Sequence, residues 1–211
     1  TKALEMVEKT LETIRKGGIY DQIGFGFHRY ATDRRWRVPH FEKMLYDQAL
    51  LALVYLEAYQ ATDKCLYAQT VHEIFSYVLR ELRATEGGFY TAEDADTNGQ
   101  EGEFYLWTEE EISQQLPEPQ AALAIRIFNI KPKGNFVLSN GSDTKKENIM
   151  YMTKDLGELT QEEGIPKKEM EKYLAEIRTR LLQARNQRPR PQKDTKILTD
   201  WNGLMIAALA K

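Results

Sequence analysis

Cysteine is nearly missing from this sequence: Cys65 is the only one in 211 residues. An internal disulfide is therefore excluded, and so are zinc sites built on several thiolates. A basic surplus is missing too. Lys and Arg number 29 against 32 Asp and Glu, a formal charge of −3, whereas broad phosphate neutralisation on nucleic acid needs a cationic excess or stripe. Long apolar runs are absent. The longest, Ala49 to Leu56, falls far short of the roughly 20 residues that span a bilayer. The opening residues, TKALEMVEKT, are charged and helical in pattern, unlike a signal peptide. What remains, 42% hydrophobic and 29% charged residues, is the composition of a soluble globular domain. A cytoplasmic location is expected, with neither nucleic acid nor membrane as partner.

The hydrophobic periodicity predicts an all-α chain. Leu4, Val7, Leu11 and Ile14 mark one face of an amphipathic helix over Lys2 to Lys16, stopped by Gly17-Gly18. A loop rich in Gly, aromatics and Arg runs from Ile19 to Val38. Pro39 is then expected to open a second helix, reaching about Gln60, whose apolar middle marks it as buried. Val71, Ile74, Phe75, Val78, Leu79 and Leu82 form the stripe of a third helix, ending near Gly87-Gly88. Thr108 with Glu111 reads as a capping box for a short helix. Further helices are expected over Glu118 to Asn129, over Lys167 to Arg185 and after Asp200, which reads as an N-cap. Between them, Phe136-Val137-Leu138 and Ile149 to Met152 are candidates for two short paired strands. Amphipathic helices alternate with more apolar ones, the pattern of stacked helical repeats that need their neighbours. The last residues, LMIAALAK, are still helical in pattern with no stop signal, so a piece of something longer is expected.

Four blocks carry a resemblance: GGIYDQIGFGFHRYATDRRWRVPHFEKMLYDQALL, GGFYTAEDADTNGQEGEFYLWT, ARNQRPRPQKDTK and LTDWNGLMIAALA, covering Gly17–Leu51, Gly87–Thr108, Ala184–Lys196 and Leu198–Ala210. In this order they closely resemble the helical domain of the spermatogenesis-associated protein 20-like, thioredoxin-domain-containing family. The resemblance implies an (α/α)6 toroid of the six-hairpin glycosidase type, akin to N-acylglucosamine 2-epimerases. About half of that ring would be present as a single domain, with hairpins over about 2–61, 66–129 and 167–211. It implies that the parent carries an N-terminal thioredoxin-like domain, expected to be absent here together with its Cys-x-x-Cys-type motif. Family members carry Gly where this chain has Phe25, so loop packing there is expected to differ.

Several constellations can carry chemistry. On a helix starting at Pro39, His40, Lys43 and Asp47 share a face at about 100° per residue. A His at a helix N-terminus is kept neutral by the dipole and can act as a base. The structural alternative is a Lys43–Asp47 pair with His40 as a satisfied partner, and Glu42 as dipole stabilisation. The loop Tyr20, Asp21, His28, Arg29, Tyr30, Asp33 and Trp36 combines flat aromatics with charged donors and acceptors, the kit for holding a sugar. There His28 would partner His40 in two-base proton transfer. Equally, these aromatics can pack beneath the ring as plain structure.

The acidic run Glu93 to Glu101 offers carboxylates for glycoside chemistry, Glu93 and Asp94 first, or a solvated turn on Asn98-Gly99. It begins like a calcium loop but has Tyr105 at the twelfth position. Trp107, Trp201 and Asn202 are further candidates for substrate contact, with core packing the alternative for Trp201. Other matches fail: His72-Glu73 lacks the second His of a zincin, and no Gly-x-Ser-x-Gly elbow exists. Asn140-Gly141-Ser142 matches a glycosylation sequon. The chain is thus expected to process a sugar by isomerisation, epimerisation or hydrolysis, without cofactor or metal. Its catalytic residues would be His40, His28, Asp47, Glu93 and Asp94. Tyr20, Asp21, Arg29, Tyr30, Trp36, Trp107, Trp201 and Asn202 would hold the ligand. The alternative is a non-catalytic scaffold that partners the parent's thioredoxin-like domain.

Overall fold

A computed structural model describes residues 1–136 and 146–211. The fold is mostly α, with a few two-residue strands in the loops. Helix α1 spans Lys2–Lys16, as its stripe predicts, capped by the Thr1 hydroxyl. Helix α2 (Leu45–Thr62) lies between α3 (Cys65–Tyr77) and α8 (Thr199–Ala210). Leu11, Tyr20, Phe27, Leu45, Tyr55, Tyr67, Ile74 and Met205 fill the core these four helices share. The Tyr55 hydroxyl lies inside that core and is satisfied by the Leu11 carbonyl at 2.8 Å. A second core joins α4 (Glu109–Gln115), α5 (Gln120–Ile127), α6 (Leu156–Glu163) and α7 (Lys167–Arg185) through Trp107, Ile112, Phe128, Met170 and Leu181. Between the two lies a smaller aromatic cluster of loop residues, with Phe41, Phe104 and Tyr105 at its centre. Among the described residues no helix is long and apolar enough to cross a membrane.

The second helix departs from expectation. Pro39 does not open it. Residues 39–44 are extended, and the helix begins only at Leu45. Backbone pairing wins over the local helix signal. Strand β2 (Pro39–His40) pairs with β1 (Tyr30–Ala31), the Arg29 amide donates to the Glu42 carbonyl at 2.8 Å, and the Leu45 amide to Thr91 at 2.9 Å. Strand β3 (Lys43–Met44) then pairs with β4 (Ala92–Glu93), which pairs in turn with β7 (Lys193–Asp194). This small antiparallel sheet joins three segments far apart in sequence.

Other boundaries move for local reasons. The third helix starts earlier than its stripe and closes in a π-helical turn at Val78–Leu82. The capping box of α4 forms, Thr108 with Glu111. A second box, Asp155 with Glu158, starts α6, a helix whose apolar stripe is too short to stand out in the sequence. Helix α8 begins at Thr199, so Asp200 is a first-turn acid rather than the N-cap. Val137 and Leu138 lie outside the described residues, as does the Asn140-Gly141-Ser142 triplet. Residues 149–152 form no strand; the amides of Ile149, Tyr151 and Met152 go instead to Asn135, Phe128 and Lys16. The acidic run does turn on Asn98-Gly99, both at positive φ, between β5 (Asp96–Thr97) and β6 (Gln100–Glu101). Phe25 keeps a left-handed backbone at φ 68°, the conformation a glycine would adopt freely.

Gly17-Gly18 does more than end α1. The Trp36 and Arg37 carbonyls lie directly on it, and a Cβ on Gly18 would sit 2.0 Å from the Arg37 oxygen. Gly18→Ala is expected to force the 32–38 loop away and cost about 1–3 kcal/mol, as overpacking does. A fall in the urea midpoint would show it; an unchanged midpoint would mean the loop is not held there.

Candidate functional site

The sequence candidates divide into a buried ionic centre and an open surface site. The centre is Asp21. Its carboxylate takes both guanidinium nitrogens of Arg185 at 2.9 and 2.8 Å, and the Lys43 ammonium at 2.8 Å. The amides of Ile23 and Gly24 also donate to it. Burial alone would raise this carboxyl; Arg185 and then Lys43 outweigh burial and hold it well below the usual carboxylate range. Lys43 lies against the rings of Tyr77 and Tyr105. The Tyr77 hydroxyl donates to Glu93 at 2.6 Å, and strand register sets Glu93 between Lys43 and Lys193.

His28 belongs to this interior. It is 3% exposed, with Nδ1 2.8 Å from the Phe41 carbonyl and its ring edge-on to Phe41 and Tyr105. Burial first, then Lys43, push it down to about 3. It stays neutral, and the void that it lines holds only about 20 Å³. Tyr20 is fully buried and gives its hydroxyl to Glu73, which also pairs with Arg15. Trp107 is 1% exposed, beneath the Arg188 guanidinium. Asn202 holds the Phe89 backbone by both its amide and its carbonyl, at 3.0 and 2.8 Å. Asp21, His28, Glu93, Tyr20, Trp107 and Asn202 are thus interior groups, each held by partners from this chain. Of the two histidines expected to act together as bases, His28 is buried and His40 half-buried.

The open site forms around His40. Because residues 39–44 are extended, His40, Lys43 and Asp47 do not share a helical face. Instead His40 and Glu42 project to the same side, as alternate residues of an extended chain do. His40 is half-buried. Its Nδ1 lies 2.7 Å from a Glu101 carboxylate oxygen, and its Nε2 3.7 Å from Glu42. Its ring stacks on Tyr30 at 5.0 Å. Arg29 donates to Glu42 at 3.0 Å and to the Tyr46 hydroxyl at 3.1 Å, and Tyr46 meets Trp201 edge-on at 4.7 Å.

Asp47 is close to Arg29 and Glu42 and keeps one buried carboxylate oxygen with no hydrogen-bond partner. Burial pushes this carboxyl up to about 6; Arg29 opposes the shift and Glu42 adds to it. Glu42 also lines a polar groove of about 410 Å³, with Asp94, Gln192, Lys193 and Asp194 along it. Five expected residues therefore gather at one surface: His40, Asp47, Arg29, Tyr30 and Trp201. Asp94 lies in the groove beside them, and Trp36 is elsewhere, against a different cleft. Glu42, Glu101 and Tyr46 were not singled out for this site. Only reading Pro39–Lys43 as a strand would have put Glu42 beside His40. Among the described residues, no group of three His, Cys, Asp or Glu side chains is arranged to hold a metal ion.

No family model matches the chain. Along its whole length it is 39% identical to spermatogenesis-associated protein 20 of Homo sapiens and 37% identical to that of Mus musculus. Over 99% of its length it is 35% identical to an uncharacterised protein of Caenorhabditis elegans. The chain spans 29% of the length of those two mammalian relatives and 31% of the worm protein. Its relationship is thus to one stretch of spermatogenesis-associated protein 20.

Two carboxylates should respond oppositely to neutralisation. Asp21→Asn leaves Lys43 and Arg185 buried with one partner fewer, and is expected to destabilise by about 3–5 kcal/mol in chemical unfolding. For Asp47 the folded value is raised, so its contribution is fully present below 3.8, the ordinary carboxylate value, and lost as pH rises through about 6. Asp47→Asn is expected to match the parent near pH 4 and to exceed it by about 2 kcal/mol at pH 8. Equal stability gaps at both pH values would disprove the burial of a charged Asp47.

Proposed function

On the premise of that relationship, we propose that this chain is part of an (α/α)6-type domain that takes a sugar in the groove beside His40. Placement of α2, whose middle is largely apolar, between α3 and α8 supports such a ring of helices. The observation that carries the sugar reading is the His40 cluster itself. An imidazole hydrogen-bonded to Glu101 is a proton acceptor held by a carboxylate, the arrangement of a general acid–base couple. Tyr30 and Trp201 supply flat apolar faces, and Arg29, Glu42 and Asp94 supply donors and acceptors for hydroxyl groups. Asp47, poised near neutrality, holds or releases a proton beside them. With His28 sealed inside, only one imidazole faces the ligand. That favours proton transfer in which His40 both takes and returns the proton on one face, as in isomerisation, over two-base epimerisation.

The second reading is a non-catalytic helical scaffold that docks the thioredoxin-like domain of a longer parent. It is favoured by one specific observation: Asp21, His28 and Glu93, the groups that look most catalytic in the sequence, serve the interior.

The test is solvent exchange. The protein is incubated with aldoses and N-acylated amino sugars in D₂O, and proton NMR follows deuterium wash-in at the carbon beside the carbonyl. Wash-in that His40→Ala abolishes without lowering the melting temperature supports the sugar reading. No wash-in and no saturable sugar binding by calorimetry would move the function to the scaffold.

A further inference from the structure

Away from the His40 groove, a second cleft of about 430 Å³ opens between the end of α1 and the 32–38 loop. Lys16, Arg34, Arg35 and Arg37 line it, with Trp36 and Tyr151, and no carboxylate does. Four cations in one cleft run against the net charge of −3 of the whole chain. Arg34 and Arg35 are exposed, and among the described residues Lys16, Arg34, Arg35 and Arg37 have no carboxylate within ion-pair distance. The one nearby acid is already committed. Asp33 accepts the Arg35 amide on one oxygen and the Arg37 and Val38 amides on the other, at 2.8–2.9 Å. Burial would raise its carboxyl, but those three amides, with the Arg37 charge adding to them, outweigh it and keep the group ionised. Asp33 thereby acts as the staple of the loop that presents the arginines. Arg37 stacks on the Tyr151 ring at 4.7 Å, an arrangement that holds a guanidinium without neutralising it.

Two further features fit an anionic occupant. A helix C-terminus ordinarily repels anions through its free carbonyls. Here those of Arg15, Lys16 and Gly17 all accept from the Gln22 amide, and Lys16 also takes the Met152 amide at 2.7 Å. The negative pole of α1 is thus quenched where the cleft begins. Trp36, in turn, is held at φ 61°, a region bulky side chains avoid, and its indole remains 37% exposed. Bulk at a left-handed position is backbone strain of the kind that clusters at ligand sites.

We propose that this cleft binds a small phosphate monoester carried on a ring with a face that can stack on an indole. Arg34, Arg35 and Lys16 hold the phosphate, and Trp36 takes the ring. The site is independent of the sugar reading of the His40 groove. Guanidinium forks match phosphate oxygens, and the cleft has the size of a small-ligand pocket.

The test is isothermal titration at low salt with inorganic phosphate, AMP, glucose 6-phosphate and adenosine as probes. AMP and glucose 6-phosphate are expected to bind more tightly than inorganic phosphate, and adenosine not at all. Arg34→Ala with Arg35→Ala should weaken the phosphate probes at least tenfold. Trp36→Asn, which tolerates the left-handed backbone, should weaken AMP and glucose 6-phosphate at least threefold yet leave inorganic phosphate within twofold. Both variants alter exposed side chains, and unchanged melting temperatures confirm that they fold. Adenosine binding as tightly as AMP would overturn the phosphate assignment. Retained binding in the double variant would overturn the site. Binding of a single-stranded oligonucleotide with none of AMP would replace the monoester by an extended nucleic acid.

Discussion

The Asp21 carboxylate, shared between Lys43 and Arg185, is the constraint on which the arrangement of loops depends. Its three members come from the loop after α1, from the strand before α2 and from the last turn of α7. None can leave without stranding a buried charge. Buried ion clusters of this kind add little net stability over apolar packing, because desolvation offsets their attraction. What they impose is uniqueness. Lys43 also donates to the Phe25 carbonyl and lies against two tyrosine rings, so the register of the small sheet is tied to the position of the charge.

That register decides which side chains face solvent. Had α2 begun at Pro39, His40 would share a helical stripe with Lys43 and Asp47. In the extended segment Lys43 points inward to Asp21, and His40 and Glu42 point outward to Glu101 and Arg29. The same few residues therefore supply the anchor of the core and the rim of the groove, on opposite sides of one strand. His28 and His40 are separated by this alternation. One is neutral because it is buried, while the other is open to a ligand and backed by a carboxylate.

Much of the fold was legible because it is local. The stripe of α1, the Thr108–Glu111 box, the one-sided α7 and the Asn98-Gly99 turn each follow from residues within a few positions of one another. Helix α6 was missed although Asp155 and Glu158 spell its cap, since eight residues hold too little apolar periodicity. Within the candidate site, Arg29, Tyr30, His40, Asp47 and Trp201 were visible as residue types, and they do gather. Glu42 and Glu101 were not assigned there. One was read as stabilising the dipole of a helix start that does not form at Pro39, and the other arrives from 61 residues away.

By itself the sequence determined the mostly helical class, most helix spans and the stock of chemically able side chains. Those depend on backbone propensity and hydrophobic period, which act over one or two turns. Tertiary structure alone decided that Asp21, His28 and Glu93 are interior while His40 and Asp94 are open. Burial and charge pairing are sums over neighbours from distant segments: Arg185 reaches Asp21 across 164 residues. A carboxylate or an imidazole takes its chemistry from that company, which no local pattern encodes.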